Sequence, residues 1–189
     1  MEALLASIVV VAVGEIGDKT QLLAFVLAAR FRRPFPIVLG IVVAVLANHL
    51  LAGALGAWLR NIVPATYLRW VLAASFLAVA VWALKPDRSD ERESVSAGHT
   101  SVFATTVIAF FLAEIGDKTQ IATMMLAAHY GNLAAVVAGT TLGMLLADVP
   151  AVYLGRAAAD RIPFRAVRLV AAALFVVMAV LALTLPQST

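Results

Sequence analysis

Six long apolar runs, parted by short clusters of polar and turn-forming residues, take up most of the chain. They fall at about 2–29, 35–59, 66–84, 101–128, 133–158 and 163–185. A helix of about 20 such residues crosses the hydrocarbon core of a bilayer, so the pattern predicts an all-α integral membrane protein with six transmembrane helices. The breaks are 30–34, 60–64, 85–100, 129–132 and 160–163, rich in Arg, Pro, Gly, Asn and Asp. Only 85–100 is long, and its mixed charges suit a solvated linker.

Composition supports this pattern and narrows the function. Hydrophobic residues make up 63% of the 189 positions and charged residues 13%, where a soluble domain carries roughly 25% charged. No room is left for a separate soluble domain. Cysteine is absent, which excludes disulfides, thiolate metal sites and Cys nucleophiles. The net charge of +3 lies in the connections and suggests no nucleic-acid surface. Arg30, Arg32, Arg33, Lys85, Arg88, Arg92, Arg156, Arg161, Arg165 and Arg168 fall on one side of the expected topology, and Arg60 and Arg69 on the other. The positive-inside rule makes the first side cytoplasmic and places both termini outside. The first run has no basic n-region and no A-x-A-like end, so it is expected to be a retained helix.

An internal repeat organises the rest. The heptapeptide E-I-G-D-K-T-Q stands at Glu15 to Gln21 and again at Glu114 to Gln120, 99 residues later. The register holds without gaps, pairing Gly40 with Gly139, Gly56 with Gly155, Pro64 with Pro163, Arg69 with Arg168 and Phe76 with Phe175. Residues 1–84 and 101–189 are therefore two copies of a three-helix unit, joined by 85–100 as a cytoplasmic linker. An odd number of crossings per copy inverts the second relative to the first, giving inverted three-helix repeats about a pseudo-two-fold axis in the membrane plane.

That axis would bring the two motifs together at mid-depth. A charge at the bilayer centre costs at least about 2.5 kcal/mol, and here Glu15, Asp18, Lys19, Glu114, Asp117 and Lys118 share that depth. They must face one another. In a regular helix one face carries Glu15, Asp18, Lys19 and Gln21 while Thr20 points elsewhere, though Gly17 permits a kink or local unwinding. Four carboxylates against two ammoniums leave a formal −2. Carboxylate, carbonyl and water oxygens suit Mg²⁺, Ca²⁺ or Mn²⁺, with Gln21, Gln120, Thr20 and Thr119 beside the acids. Glu15, Asp18, Gln21, Glu114, Asp117 and Gln120 are thus the expected metal ligands, and Lys19 and Lys118 balance charge. A dication and protons compete for the same carboxylates, so proton-coupled exchange follows. A mere tie between helices would not need four acids.

Two further polar positions, His49 and Asp148, are equivalent at the same offset. Asp148 is expected to line the pathway. His49 serves either as a packing residue beside Asn48 or as a proton relay or ligand. Pro150 should loosen its helix, and Gly40, Gly53, Gly56, Gly139, Gly143 and Gly155 should permit close helix contacts. Met124 and Met125 suit packing.

The twice-repeated E-x-G-D-K-T, one copy per unit, resembles the signature of the membrane family that includes the Golgi manganese/calcium transporter linked to glycosylation disorders and bacterial manganese exporters. The resemblance covers essentially the whole chain. It implies a cation antiporter moving Mn²⁺ or Ca²⁺ out of the cytosol against H⁺, without a cofactor, with Glu15, Asp18, Glu114 and Asp117 as ligands. With no organellar targeting segment in view, a bacterial inner membrane is expected. Two rivals stay open at this point. One is an exporter of amino acids or other organic cations on a related fold. The other is an intramembrane aspartyl protease using Asp18 and Asp117 as a dyad, although Gly14 and Gly17 do not match the G-x-G-D arrangement of such enzymes.

Overall fold

A computed structural model describes residues 1–84, 101–154 and 164–184. The linker 85–100 and the segment 155–163, with Gly155, Arg156 and Arg161, lie outside the described residues. All the regular structure among the described residues is helical. The helices are α1 (Glu2–Glu15), α2 (Lys19–Phe31), α3 (Pro34–Ile62), α4 (Ala65–Ala83), α5 (Val102–Glu114), α6 (Lys118–Tyr130), α7 (Leu133–Leu154) and α8 (Phe164–Thr184). Of these, α3 and all but the last residue of α7 are long and apolar enough to cross a membrane as single rods.

The first and fourth apolar runs are not single helices. Each is cut in two inside the heptapeptide, after Glu15 and after Glu114. Gly17 and Gly116 take positive φ, 81° and 74°, which a side-chain-bearing residue enters only at a cost of about 1 kcal/mol or more. Asp18 and Asp117 then cap the helices that follow: Asp18 Oδ1 accepts from Lys19 N at 2.7 Å, and Asp117 Oδ2 from Thr119 N at 3.5 Å. Gln21 and Gln120, three residues on, reach back to accept from Gly17 N at 3.0 Å and Gly116 N at 2.8 Å. The arrangement resembles a capping box drawn one residue toward the N-terminus: the Asp caps the first turn and the Gln returns to the glycine before the cap. The heptapeptide is therefore a helix stop followed by a helix start. By contrast α7 runs straight through Pro150.

Packing repeats with the same 99-residue offset. Helix α1 lies on α7 as α5 lies on α3, and α4 lies on α8. The match extends to single contacts. A Cβ on Gly40 would stand 2.7 Å from Thr106 Cβ and 3.0 Å from Phe103 O, and one on Gly139 would stand 2.7 Å from Ser7 Cβ and 2.6 Å from Leu4 O. Thr106 is equivalent to Ser7, and Phe103 to Leu4. The glycines let the helices pack closely, as expected for Gly40, Gly53, Gly56, Gly139 and Gly143. Met125 is buried in the core with Leu72, Phe76, Leu126 and Phe175. Leu46, Leu50, Leu51, Leu55, Leu146 and Val177 point outward and are exposed, an apolar exterior far larger than water-soluble monomers tolerate.

Candidate metal centre

The two broken turns meet. Oxygen atoms of Glu15, Asp18 and Asp117 all lie within 4.8 Å of one another, and all three residues are buried. Two ligands on opposite sides of Mn²⁺ or Ca²⁺ stand about 4 to 5 Å apart, so the trio already has the spacing of an ion's shell. Glu114, fully buried too, is not part of that tight group.

Each glutamate is held by a hydroxyl of its own motif. Thr20 Oγ1 donates to Glu15 Oε2 at 2.8 Å, and Thr119 Oγ1 to Glu114 Oε2 at 3.1 Å. A regular helix would have pointed Thr20 away, and the break at Gly17 is what turns it back onto Glu15. The other oxygen of each glutamate, Oε1, is buried without a hydrogen-bond partner among the described residues. An orphaned carboxylate oxygen in a low-dielectric interior is expensive. It is also what a cation requires.

The lysines cross over. Lys19 Nζ lies 3.2 Å from Asp117 Oδ1, and Lys118 Nζ lies 2.7 Å from Asp18 Oδ2, so each motif supplies the ammonium for the other motif's aspartate. The two bridges are unequal. The Lys118 side chain is 7% exposed and that of Lys19 is 35%, although the heptapeptides are identical.

The remaining expected site residues fall into two groups. The Oε1 atoms of Gln21 and Gln120 face the broken turns, and Gln21 also donates to Ala147 O at 3.1 Å. An amide oxygen that accepts one N–H keeps a second lone pair, so this use leaves a ligand role open to both. His49 and Asp148 lie outside the trio and are fully buried. His49 Nδ1 lies 3.4 Å from Thr141 Oγ1, and its Nε2 has no partner among the described residues. Neither oxygen of Asp148 has one. Asn48, noted in the sequence only as a neighbour of His49, donates to Phe111 O at 3.2 Å and leaves Oδ1 buried and unmatched. Arg60 is the residue most easily missed, since in the sequence it registers only as a loop charge. Its guanidinium reaches the carbonyls that end α6, at 3.2 Å to His129 O and 3.5 Å to Ala128 O.

Comparison with known proteins bears on what these residues serve. The profile of the family described as divalent cation/proton antiporter GDT1 matches residues 3–91 and 102–187. A candidate manganese exporter of Vibrio cholerae is 51% identical over 180 residues, covering 95% of this chain and 89% of that protein. A GDT1-like protein of Synechocystis is 30% identical over 95% of this chain and 96% of its own length. GDT1-like protein 3 of Oryza sativa is 31% identical over 92% of this chain and 71% of its own. No solved structure matches.

Proposed function

The chain belongs to the GDT1 family of divalent cation/proton antiporters, and on that premise we propose that it exports Mn²⁺ from the cytosol in exchange for H⁺ through one site shared by the two broken turns. It is a membrane transporter and not an enzyme, which removes the protease. The choice of Mn²⁺ over Ca²⁺ draws on the name of the Vibrio cholerae relative.

The observation that carries the assignment is the oxygen trio of Glu15, Asp18 and Asp117 within 4.8 Å. Glu114, with its unmatched Oε1, supplies the fourth acid, and the second lone pairs of Gln21 and Gln120 are within the same motifs. Thr20 and Thr119 orient the glutamates. The ends of α1 and α5 direct backbone carbonyls toward this depth, a use of interrupted helices suited to cations. As the ion arrives, the crossed ammoniums of Lys19 and Lys118 must draw back from Asp117 and Asp18. When it leaves, they and protons restore the balance. Asp148 lines the route. His49, at the equivalent place, serves as packing partner to Thr141 or as relay.

In this reading α1 with α2, and α5 with α6, each make one discontinuous crossing, giving six crossings in two inverted repeats. The matched contacts of Gly40 and Gly139 support it. Arg60 at the end of α3 meets the end of α6, so these two helix ends sit at one end of the bundle. That agrees with the side the arginine distribution assigns to the outside, in a bacterial inner membrane. The test is transport in proteoliposomes under a pH gradient, with Mn²⁺, Ca²⁺ and amino acids as competing substrates. Mn²⁺ movement should follow the gradient and be lost in Glu15→Gln and in Asp117→Asn. Normal transport by both variants would refute the ligand assignment.

A further inference from the structure

The two motifs are identical, yet one lysine is sealed and the other is one-third exposed. The difference has to come from what surrounds the motifs, so the informative positions are those where the repeats disagree. Three of them cluster at the end of α6. Gly53 packs there so closely that a Cβ would stand 2.7 Å from Leu133 Cδ1, and its equivalent is Val152. Gly131 closes α6 with φ 64° and leaves room for the Arg60 guanidinium, which a Cβ would meet at 2.3 Å. Its equivalent is Arg32, which closes α2 with φ 53°. Arg60 holds the last carbonyls of α6, and its equivalent is Ala159, a side chain with no donor. Gly56 adds backbone contact on the same side, since a Cβ would meet Met124 O at 1.9 Å.

All three disagreements favour a tighter seal at the α6 end, and the sealed lysine is the one that begins α6. Between them, Thr123 stands one turn beyond Thr119 on the same face of α6, fully buried, with its hydroxyl unmatched among the described residues. A buried hydroxyl without a partner, placed between the site and the helix end, is what a route that is shut in this conformation would contain.

We propose that Arg60 is the latch of the α6-side gate, pinning the end of α3 to the end of α6 so that this conformation is closed on that side. The equivalent position holds Ala159, which cannot make that contact, so the two gates differ chemically at this position. This rests on the transport reading above for the idea of two gates, but it is tested without any metal.

The chain contains no cysteine, so single cysteines report cleanly. In the full chain, Thr123→Cys is the probe for the α6 side and Ala24→Cys, its equivalent, for the α2 side. Asn132→Cys, exposed at the α6 end, shows whether intact cells or inverted membrane vesicles present that end to a membrane-impermeant maleimide. Loss of charged hydrogen bonds to the carbonyls should shift the gate by about ten- to a hundredfold. Arg60→Ala should therefore raise Thr123→Cys labelling from the α6 end by that factor without raising Ala24→Cys labelling from the other. An unchanged Thr123→Cys rate, or an equal rise at both probes, overturns the latch. Arg60→Lys keeps the charge and reaches fewer carbonyls, so it should give a smaller rise in the same direction. Should Arg60→Ala not fold, the absence of that rise in Arg60→Lys overturns the proposal equally. Labelling that shifts in a protein unable to move Mn²⁺ would leave the latch standing and refute the transport reading instead.

Discussion

Removing Lys118 and removing Lys19 delete the same residue from the same motif, yet the first should cost more than the second. The Lys118 to Asp18 bridge is 2.7 Å long between side chains 7% and 0% exposed. Deleting one partner of a buried pair costs about 3 to 5 kcal/mol, because the other charge stays behind in a medium that solvates it poorly. The Lys19 to Asp117 bridge is longer, 3.2 Å, and its ammonium arm is 35% exposed. Water reaches this ammonium but not Asp117, whose side chain is 4% exposed, so deleting Lys19 should cost less than deleting Lys118 but not nothing, about 1 to 3 kcal/mol. For a chain of this size each kcal/mol moves the midpoint by about 2 to 4 °C, so Lys118→Gln should melt about 6 to 20 °C below the native protein and Lys19→Gln about 2 to 12 °C below. Intrinsic tryptophan fluorescence from the three tryptophans reports unfolding in detergent with chelator present. Added Mn²⁺ should recover much of the loss in Lys118→Gln, since the ion supplies positive charge to the same carboxylates. Equal losses in the two variants, or a larger loss in Lys19→Gln, would refute the idea that burial sets the strength of the two bridges.

Two further outcomes are expected. Thr20→Val and Thr119→Val each remove the hydroxyl that orients a glutamate. Groups that orient metal ligands typically matter by 10- to 100-fold, so equilibrium Mn²⁺ binding should weaken by about that factor, and the midpoint without metal should fall by about 2 to 12 °C because a second buried carboxylate oxygen loses its partner. Gly56→Ala sets a methyl 1.9 Å from Met124 O, backbone that cannot swing aside. It should lower stability by about 1 to 3 kcal/mol, as overpacking does, measured by the same fluorescence melt, whereas Gly14→Ala, with its nearest neighbour at 3.9 Å, should not.

What the sequence discloses depends on whether the signal is local. The duplicated heptapeptide, the 99-residue register and the acids inside apolar runs are all visible in the letters, and the close-packed glycines follow from residue type. The cut inside the first and fourth apolar runs is harder to see, because the runs are apolar on every side and helical periodicity carries no mark of an interruption. The mark is in the capping chemistry instead: Gly17, Asp18 and Gln21 spell a stop, a cap and a reach-back, as do Gly116, Asp117 and Gln120. Once that break is seen, the hydrogen bond from Thr20 to Glu15 follows from it. The crossing of Lys19 to Asp117 and Lys118 to Asp18 is not legible, since either lysine could serve its own motif's acids equally well by spacing. Nor is their unequal burial, because nothing within two identical heptapeptides distinguishes them.

That last point bears on direction. An antiporter runs whichever way its gradients drive it, and two identical motifs at a pseudo-two-fold axis would by themselves give a carrier that faces both sides equally. Differences in the flanking helices, Gly53 against Val152, Gly131 against Arg32 and Arg60 against Ala159, break that equality without altering a ligand. Their effect is on population. An ion binds only the fraction of carriers open to its side, so its apparent dissociation constant rises in inverse proportion to that fraction. If sealing at the α6 end holds the resting carrier about ten to one toward the α2 side, the same acids bind about tenfold more weakly, as seen from the α6 side, than from the α2 side. Selectivity for the ion and preference for a side are then separable properties. In the proposed reading the first is set by the shared carboxylates of Glu15, Asp18, Glu114 and Asp117, and the second by residues that never touch the ion.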